Sequence, residues 1–482
     1  MQIHNPRLFF DKGTICIKNS GLVRIPGTKL DERDKETLRA YGLDYKEIIE
    51  YLKRSDFDYV DQVPHFLASP IFQITNLELR DYQKKAIENW IESSMRGCIV
   101  LPTGAGKTAV GIKAIEKVNS STLVVVPTID LMEQWTQNLS KYLNKNNDDD
   151  DKNNTNTLKV SIGNLGGGKE DIQAITVATY DSAYLRSPHI GNQFELVIFD
   201  EVHHLPAPGY RSIAEQLIAP YRLGLTATIE REDGLHELIP RLVGGIVFQV
   251  GPKELSEKKH LAEFDIERRQ VSLTPEEQKE YERNYSQFIA NLAKLGFKIP
   301  SMHNLRRLIM MSNKNKTARE GLLARNKANE IALNSKSKIK ELQKILQENK
   351  YAKTIIFTQN NKMVYELSNK FLIPLITYKT IKDERRDVLE GFKSGRYNVV
   401  VTSKVLDEGI DVPDAEIGII VSGTGSGREL IQRLGRILRP KQDGRKAKLI
   451  EIVSKQTRET NTSAKRITSL RKNTESSYGD TN

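Results

Sequence analysis

A glycine-containing turn after an apolar run is the first group of residues whose types and spacing suit chemistry. The segment LPTGAGKT (101–108) follows the apolar GCIV and precedes a helical stretch, AVGIKAIEKV. Such a turn lets backbone N–H groups face an anion, and the following helix N-terminus adds partial positive charge. Lys107 would reach the β- and γ-phosphates of a nucleotide, and Thr108 would ligate magnesium. The residues of this predicted phosphate-binding loop are Thr103, Gly104, Ala105, Gly106, Lys107 and Thr108.

The general pattern for a phosphate loop has glycine where this chain has Leu101, so an ordinary glycine-rich turn is the alternative. The order of strand, turn and helix around the segment favours phosphate binding.

A pair of carboxylates ends the apolar run in LVIFDEVHH (196–204). Two acidic side chains at the end of a buried strand cost free energy unless a cation compensates them. We expect Asp200 to hold magnesium and Glu201 to activate and orient a water that attacks the γ-phosphate. A helix cap is the alternative for the pair taken alone. The sequence shows no third metal ligand for the histidines that follow, so we expect His203 to couple the nucleotide site to GLTATIEREDG (224–234).

Three arginines near the C-terminal end share one face of a predicted helix, GRELIQRLGRILRP (427–440). Arg433, Arg436 and Arg439 are three residues apart, and they repel one another unless anions meet them. We expect Arg436 and Arg439 to stabilise transition-state charge on a phosphate chain. A generic basic helix face is the alternative.

Short apolar runs predict the strands that must position these residues. The first series is GCIVLP, STLVVVP, AITVAT and LVIFDE, and the second is AKTIIFT, YNVVVTS, IGIIVS and AKLIEIV. Each run is rich in valine and isoleucine and apolar throughout, which is typical of a parallel sheet covered on both faces. The sequence therefore predicts an α/β fold with two doubly wound parallel-sheet domains.

Other segments depart from this pattern. An apolar stripe in the charged, helical segment 253–335 is expected to pack a helical pair rather than stack bases. It consists of Tyr281, Tyr285, Phe288, Leu292 and Leu295. The polar run NKNNDDDDKNNTNT (144–157) predicts a disordered surface loop. The predicted order is a small α+β domain at 1–75, an α/β domain at 76–252, a helical insertion at 253–335, a second α/β domain at 336–455 and a flexible tail at 456–482.

The composition limits the class of protein. At ~150 residues per domain, 482 residues allow about three domains. Lysine and arginine number 73 against 62 aspartates and glutamates, which favours a polyanionic partner, although many basic proteins have none. The chain has no apolar run near the ~20 residues that cross a bilayer and no secretory signal, so we expect a cytoplasmic protein without membrane contact. The two cysteines, Cys16 and Cys98, have no spaced metal partners.

The motifs, in order, resemble those of a superfamily-two helicase. They are LRDYQ (79–83), LPTGAGKT, VVPT, DEVHHLPA, LTATIERED, VLDEGIDVPDA and QRLGRILRP. DEVHHLPA, IERED and the helical insertion are similar to one branch, the archaeal form of the XPB family of DNA-repair and transcription-opening ATPases. The resemblance covers most of residues 1–455. It implies two tandem RecA-like domains, a DNA-gripping thumb at the insertion and a damage-recognition-like N-terminal domain.

The resemblance also implies ATP and Mg²⁺ as cofactors and further site residues. Arg80 and Gln83 would contact the adenine side of ATP. Gly409 and Asp411 would join the nucleotide site, and Gln432 would join the catalytic arginines. The residues expected to couple hydrolysis to DNA are Thr128, Thr179, Thr226, Thr228, Arg231, Glu232, Asp233 and Thr402.

The leading hypothesis is a monomeric ATP-dependent DNA helicase and translocase of 3′-to-5′ polarity, acting on forked or partly single-stranded duplex. The polarity and a structure-specific nuclease partner are implied by the resemblance. An ATP-gated DNA clamp and an RNA motor are the alternatives. A strand-separation assay distinguishes the clamp, and competition between DNA and RNA distinguishes the RNA motor.

Overall fold

The chain divides into two units, chiefly residues 1–252 and residues 253–475. The computed structural model describes residues 5–19, 25–69, 74, 76–143, 160–231, 233–251, 254–255, 264–297, 302–403, 415–423 and 447–475. The acidic run 144–157 lies outside the described residues.

The first unit begins with a small sheet. Its strands in the described residues are β1 (Arg7–Asp11), β2 (Thr14–Lys18), β3 (Lys29–Leu30), β4 (Leu38–Tyr41) and β5 (Val60–Gln62), in the spatial order β3–β4–β2–β1–β5. Neighbouring strands are antiparallel except for the parallel pair β1 and β5. A short 3₁₀ turn, Gly42–Asp44, leads into helix α1 (Tyr45–Arg54). Helix α1 buries Ile48 and Leu52 in the core of this sheet.

The small sheet and the rest of its unit each contribute an apolar side chain to the other's core. Ile218 belongs to the same core cluster as Leu8 of β1, whereas Leu43 enters the core of the larger sheet that follows. The backbones also approach closely, because a β-carbon on Gly42 would lie 2.4 Å from the carbonyl oxygen of Gln216. The two parts of the unit therefore share one packed boundary.

A large, mostly parallel sheet forms the rest of the first unit. Its strands in the described residues are β6 (Arg96–Val100), β7 (Thr122–Val126), β8 (Ile162–Gly166), β9 (Lys169–Glu170), β10 (Ile175–Thr179), β11 (Leu196–Asp200), β12 (Tyr221–Thr226) and β13 (Ile246–Gln249). The spatial order is β13–β6–β12–β11–β7–β10–β8–β9, and only the β8–β9 pair is antiparallel. Every residue of β7, β10 and β11 is buried, as expected for a sheet covered on both faces.

Helices follow the strands of this sheet. They are α2 (Asp81–Glu92), α3 (Lys107–Val118), α4 (Ile129–Leu143), α5 (Tyr180–Ile190), α6 (Arg211–Gln216) and α7 (Ile239–Leu242), with 3₁₀ turns at Val202–His204 and Leu235–Leu238. No helix among the described residues is long and apolar enough to cross a membrane.

The second unit is built on a fully parallel sheet. Its strands in the described residues are β14 (Phe264–Val271), β15 (Thr354–Phe357), β16 (Leu375–Ile376), β17 (Val399–Thr402), β18 (Ile417–Ile420) and β19 (Ala447–Ser454), in the spatial order β14–β19–β18–β15–β17–β16. Its helices are α8 (Pro275–Lys294), α9 (Met302–Met311), α10 (Lys316–Leu333), α11 (Lys336–Glu348), α12 (Asn361–Phe371), α13 (Lys382–Ser394) and α14 (Arg458–Glu475). The predicted α/β fold with two doubly wound parallel sheets is confirmed.

The apolar stripe of α8 packs against neighbouring helices, as predicted. Tyr281, Phe288 and Leu292 are each at most 5% exposed and contact residues of α10. Thr274 caps α8 by accepting a hydrogen bond from the Glu277 backbone N–H, and the Glu277 side chain accepts one from the Thr274 backbone N–H in return.

Residues 264–271, inside the segment predicted to be helical, form the edge strand β14 instead. The strand pairs in parallel with β19 over its full length. Two of its charged side chains pair with residues of β19: Glu267 accepts from Lys448 at 2.5 Å, and Arg268 lies 3.3 Å from Glu451. Cross-strand ion pairs thus allow this highly charged segment to form a strand. The helical periodicity of the sequence did not predict that strand.

The prediction of a flexible tail at 456–482 is wrong for residues 458–475, which form α14. Three polar residues of this helix, Glu459, Ser463 and Arg466, are buried with partners. Arg466 and Ser463 both donate hydrogen bonds to Glu451, and Glu459 accepts a 2.6 Å hydrogen bond from the fully buried Lys338. These buried, paired polar groups hold the helix in place of the apolar contacts that its sequence lacks.

Candidate active site

The segment predicted to bind phosphate connects the end of β6 to the start of α3 at Lys107. Gly104 and Gly106 have φ angles of 83° and 78°, in the left-handed region that favours glycine. A β-carbon on Gly106 would also lie 2.5 Å from Nε2 of Gln83. Both glycines are therefore required by the shape of the turn.

Two residues of the LRDYQ segment, Tyr82 and Gln83, hold this loop by hydrogen bonds. The Nε2 group of Gln83 and the hydroxyl of Tyr82 donate to the carbonyl oxygen of Ala105 at 2.8 and 2.9 Å. Gln83 Oε1 accepts from the backbone N–H of Arg80 at 2.9 Å, which fixes the amide at the start of α2. Sequence reasoning assigned no role to Tyr82. The adenine contacts expected of Arg80 and Gln83 stay a prediction.

The predicted carboxylate pair stands at the end of β11, between β12 and β7. Asp200 is 4% exposed; its Oδ2 accepts from Trp135 Nε1 at 2.8 Å and its Oδ1 from the Glu201 backbone N–H at 3.0 Å. Burial, and then the neighbouring Glu201 carboxylate, raise the pKa of Asp200 to about 6, while Lys107 opposes that rise. This environment favours a cation beside Asp200.

Glu201 has a φ angle of 50°, a left-handed conformation that is uncommon for a residue with a side chain. Such strained residues concentrate at functional sites. The Oε1 atom of Glu201 lies 3.6 Å from the Lys107 ammonium, and both side chains are about nine-tenths buried. The fold therefore joins the phosphate loop and the carboxylate pair, as the sequence predicted.

His203 connects this site to the segment after β12. Its Nδ1 lies 3.0 Å from Thr226 Oγ1 and 3.4 Å from Glu201 Oε2, and its ring is fully buried. Thr226 Oγ1 also donates to the carbonyl oxygen of Thr228 at 2.7 Å. Arg231 donates from Nη1 to the carbonyl oxygen of His203. These contacts link His203 to the segment after β12, and its coupling role stays a prediction.

The Arg231 side chain is itself held by Asp233. Its Nε and Nη2 donate to the two oxygens of Asp233 at 2.9 and 2.7 Å. The Arg231 hydrogen bonds lower the pKa of Asp233 to about 2. Glu232, between them, lies outside the described residues.

The site residues fit a magnesium nucleotide. Thr103 Oγ1 is buried and has no hydrogen-bond partner among the described residues, and Thr108 is the second residue of α3. In the part of the chain that is described, no group of three or more His, Cys, Asp or Glu could hold a metal ion. An ion held by Asp200 and Thr108 would take its other oxygen ligands from phosphate and water, which is the usual way Mg²⁺ is held.

The threonines expected to couple hydrolysis to DNA lie at or just after strand ends. Thr128 Oγ1 accepts from Leu131 N–H in the first turn of α4, and Thr179 caps α5. Thr402 ends β17 and is fully buried, and its hydroxyl donates to the carbonyl oxygen of Ser403 at 3.0 Å. The remaining predicted site residues lie outside the described residues; they are Gly409, Asp411, Gln432, Arg436 and Arg439.

Sequence reasoning missed Trp135, whose indole contacts the candidate metal ligand. The residue lies on the buried face of α4 beside Met132 and Leu139, where a tryptophan looks like any core side chain. No local motif indicates a hydrogen bond to Asp200.

Three protein families match the chain. Residues 8–63 match the Xeroderma pigmentosum group B helicase damage recognition domain. Residues 76–231 match the Type III restriction enzyme, res subunit, and residues 319–474 match the ERCC3/RAD25/XPB C-terminal helicase.

Individual proteins and a solved structure are also similar. The DNA 3′-5′ translocase XPB2 of Sulfurisphaera tokodaii is 45% identical over 441 residues, covering 92% of this chain and 96% of that protein. The DNA 3′-5′ helicase XPB of Kineococcus radiotolerans is 30% identical over 397 residues, covering 80% of this chain and 62% of that protein. The helicase domain of Pyrococcus furiosus Hef has a TM-score of 0.51 at 19% identity and covers 82% of this chain and 99% of that chain.

The two parallel sheets and their likeness to a helicase domain define the class of protein as a helicase fold with two tandem RecA-like domains. Within that class, the chain belongs to the XPB family of DNA 3′-5′ translocases and helicases.

Proposed function

We propose that the chain is a DNA-dependent ATPase that moves 3′ to 5′ along DNA and opens duplexes in DNA repair or transcription-related processes. The observation that carries this proposal is the 3.6 Å approach of Lys107 to Glu201, beside the oriented carboxylate of Asp200. Family membership supports DNA as the track, because the similar archaeal protein is named as a DNA translocase.

Each residue of the site has a proposed role in ATP hydrolysis. Lys107 exchanges its contact with Glu201 for the β- and γ-phosphates of ATP, and this leaves Glu201 to orient the attacking water. Asp200 and Thr108 would hold Mg²⁺, which would neutralise charge on the phosphates. Gln432, Arg436 and Arg439 are proposed to complete the catalytic set, and Gly409 and Asp411 to complete the nucleotide site.

The path from Glu201 through His203 to Arg231, with Thr226 hydrogen-bonded to His203, is proposed to report the state of the nucleotide to the DNA-facing segments. Each step is a contact of 3.4 Å or less, and the His203 and Thr226 side chains are fully buried. A change in the position of Glu201 is therefore expected to move His203 and, through it, Arg231.

The family match at residues 8–63 supports a further assignment. The small sheet is proposed to sense distorted DNA, and the helices of 275–333 to grip it as a thumb. Thumb residues such as Lys316, whose side chain is 91% exposed, would contact phosphates, so DNA affinity should fall steeply with salt.

ATP turnover with single-stranded DNA, forked duplex and RNA tests the proposal. We expect DNA to stimulate turnover more than RNA does, and a forked duplex to be separated into strands. Lys107→Ala and Glu201→Gln should abolish turnover, and Glu201→Gln should retain nucleotide binding. If DNA does not stimulate hydrolysis, the proposal is wrong; ATP-dependent binding without strand separation would favour a clamp.

A further inference from the structure

Trp135 fixes the orientation of the candidate metal ligand. Its indole is fully buried, and Nε1 donates to Asp200 Oδ2 at 2.8 Å. The other carboxylate oxygen accepts from the Glu201 backbone N–H at 3.0 Å. Because each oxygen has its own donor, the carboxylate cannot rotate without breaking a buried hydrogen bond. Each oxygen keeps a lone pair with which to meet a cation.

The indole is also held against the helix that carries the phosphate-binding lysine. A β-carbon at Gly111, in α3, would lie 2.5 Å from the ring carbon Cη2 of Trp135 and 3.2 Å from Leu225 Cδ1. Glycine at this position lets the ring lie directly on α3, one turn after Lys107. The ring therefore joins both halves of the nucleotide site.

Helix α4, which carries Trp135, begins at the edge of a loop. Thr128 Oγ1 accepts from Leu131 N–H at 3.2 Å in the first turn of α4, and Ile129 is 46% exposed. Trp135 lies about two turns further along the same helix. Helix α4 thus exposes Ile129 at its start to solvent and directs Trp135 to Asp200. A displacement of that first turn would move the donor that orients the carboxylate.

We propose that Trp135 is a positioning residue that sets the Asp200 carboxylate for Mg²⁺ and transmits displacement of the first turn of α4 to it. The inference rests on the proposed function for the identity of the nucleotide and for DNA as the track. The contacts that carry it are independent of both.

The chain offers a matched control, because its only other tryptophan is also buried and also donates its indole N–H. Trp90 Nε1 donates to the carbonyl oxygen of Arg222 at 3.0 Å, whereas Trp135 Nε1 donates to Asp200. Trp135→Phe and Trp90→Phe each remove one such donor while keeping an aromatic ring. Only the first should affect Asp200.

The first measurement is ATP turnover of the full chain against Mg²⁺ concentration, with and without single-stranded DNA. We expect Trp135→Phe to need about tenfold more Mg²⁺ for half-maximal turnover, the loss that removal of a metal ligand's hydrogen-bond partner typically causes. Its stimulation by DNA should also fall, whereas Trp90→Phe should match the unmodified chain. An unchanged Mg²⁺ dependence in Trp135→Phe would overturn the proposal.

The second measurement needs no turnover. In the Trp90→Phe variant all tryptophan emission comes from Trp135, and we expect that emission to shift when Mg²⁺ and ADP are added together. The Trp135→Phe variant should show no such shift. If the emission of Trp135 did not shift when Mg²⁺ and ADP were added, the proposal would be contradicted even if Trp135→Phe failed to fold. If DNA fails to stimulate the unmodified chain, the proposed function is wrong, while this titration still decides the role of Trp135.

Discussion

The ammonium of Lys107 lies 3.6 Å from Oε1 of Glu201, so the phosphate-binding lysine and the candidate base form an ion pair. ATP must compete with Glu201 for this lysine. The first prediction follows from that competition.

We expect Glu201→Gln to bind ATP about fivefold more tightly than the unmodified chain, because the amide no longer competes for Lys107 and ~1 kcal/mol is a factor of about five in affinity. Equilibrium titration with a fluorescent ATP analogue measures this. The exposed Glu237→Gln serves as the control and should leave affinity unchanged. Weaker ATP binding by Glu201→Gln would show that the pair does not compete with the nucleotide.

Gln83→Ala should raise the KM for ATP about tenfold, because the Ala105 carbonyl loses its 2.8 Å donor and the loop is less well fixed. Tyr82→Phe, which removes the second donor to the same oxygen, should have a smaller effect. Steady-state kinetics with ATP and GTP distinguish two roles for Gln83. A loop-holding role raises both KM values alike, whereas an adenine contact would change the preference for ATP over GTP.

Asp233→Asn should reduce strand separation of a forked duplex about tenfold while leaving DNA-stimulated ATP turnover within about twofold. The substitution removes the carboxylate that fixes Arg231 against His203. Since the pKa of Asp233 is lowered to about 2, the pair is present above the ordinary carboxyl pKa and is lost only as the pH falls towards 2. The defect should therefore not vary with pH near neutrality. Equal losses of turnover and strand separation would contradict a coupling role.

Lys338→Met should lower the free energy of unfolding by about 3–5 kcal/mol, because it leaves Glu459 charged and buried without its partner. The double variant Lys338→Met with Glu459→Gln should recover much of this loss, since the glutamine can still accept from the Ser454 N–H. Thermal unfolding midpoints measure both. The exposed Lys340→Met should change stability by less than ~0.5 kcal/mol. A double variant no more stable than Lys338→Met would show that the lost charge pair is not the cause.

Much of the fold and site could be predicted because the relevant patterns are local. The buried strand ending at Asp200 is apolar throughout, and the turn before Lys107 has its glycines where positive φ angles fall. Strand and loop order then place both at the carboxyl edge of one parallel sheet, where such sites form.

The remainder depends on contacts between residues far apart in the chain. Trp135 and Asp200 are 65 residues apart, and nothing in the local sequence of α4 separates this tryptophan from a core residue. The order of α14 likewise depends on burying Arg466 against Glu451. Charge pairing at long range is not visible in hydrophobic periodicity, which is why a polar segment was predicted to be a flexible tail.

Leu43 packs in the core of the larger sheet and Ile218 in the core of the small sheet, and this bears on how the chain can be divided. A fragment beginning near residue 76 would lose Leu43 from its core and expose Ile218, which is 2% exposed in the intact chain. The separated small sheet would have the complementary defect, an apolar gap where Ile218 belongs. Grafting this sheet onto another motor would therefore require both surfaces to be transplanted together.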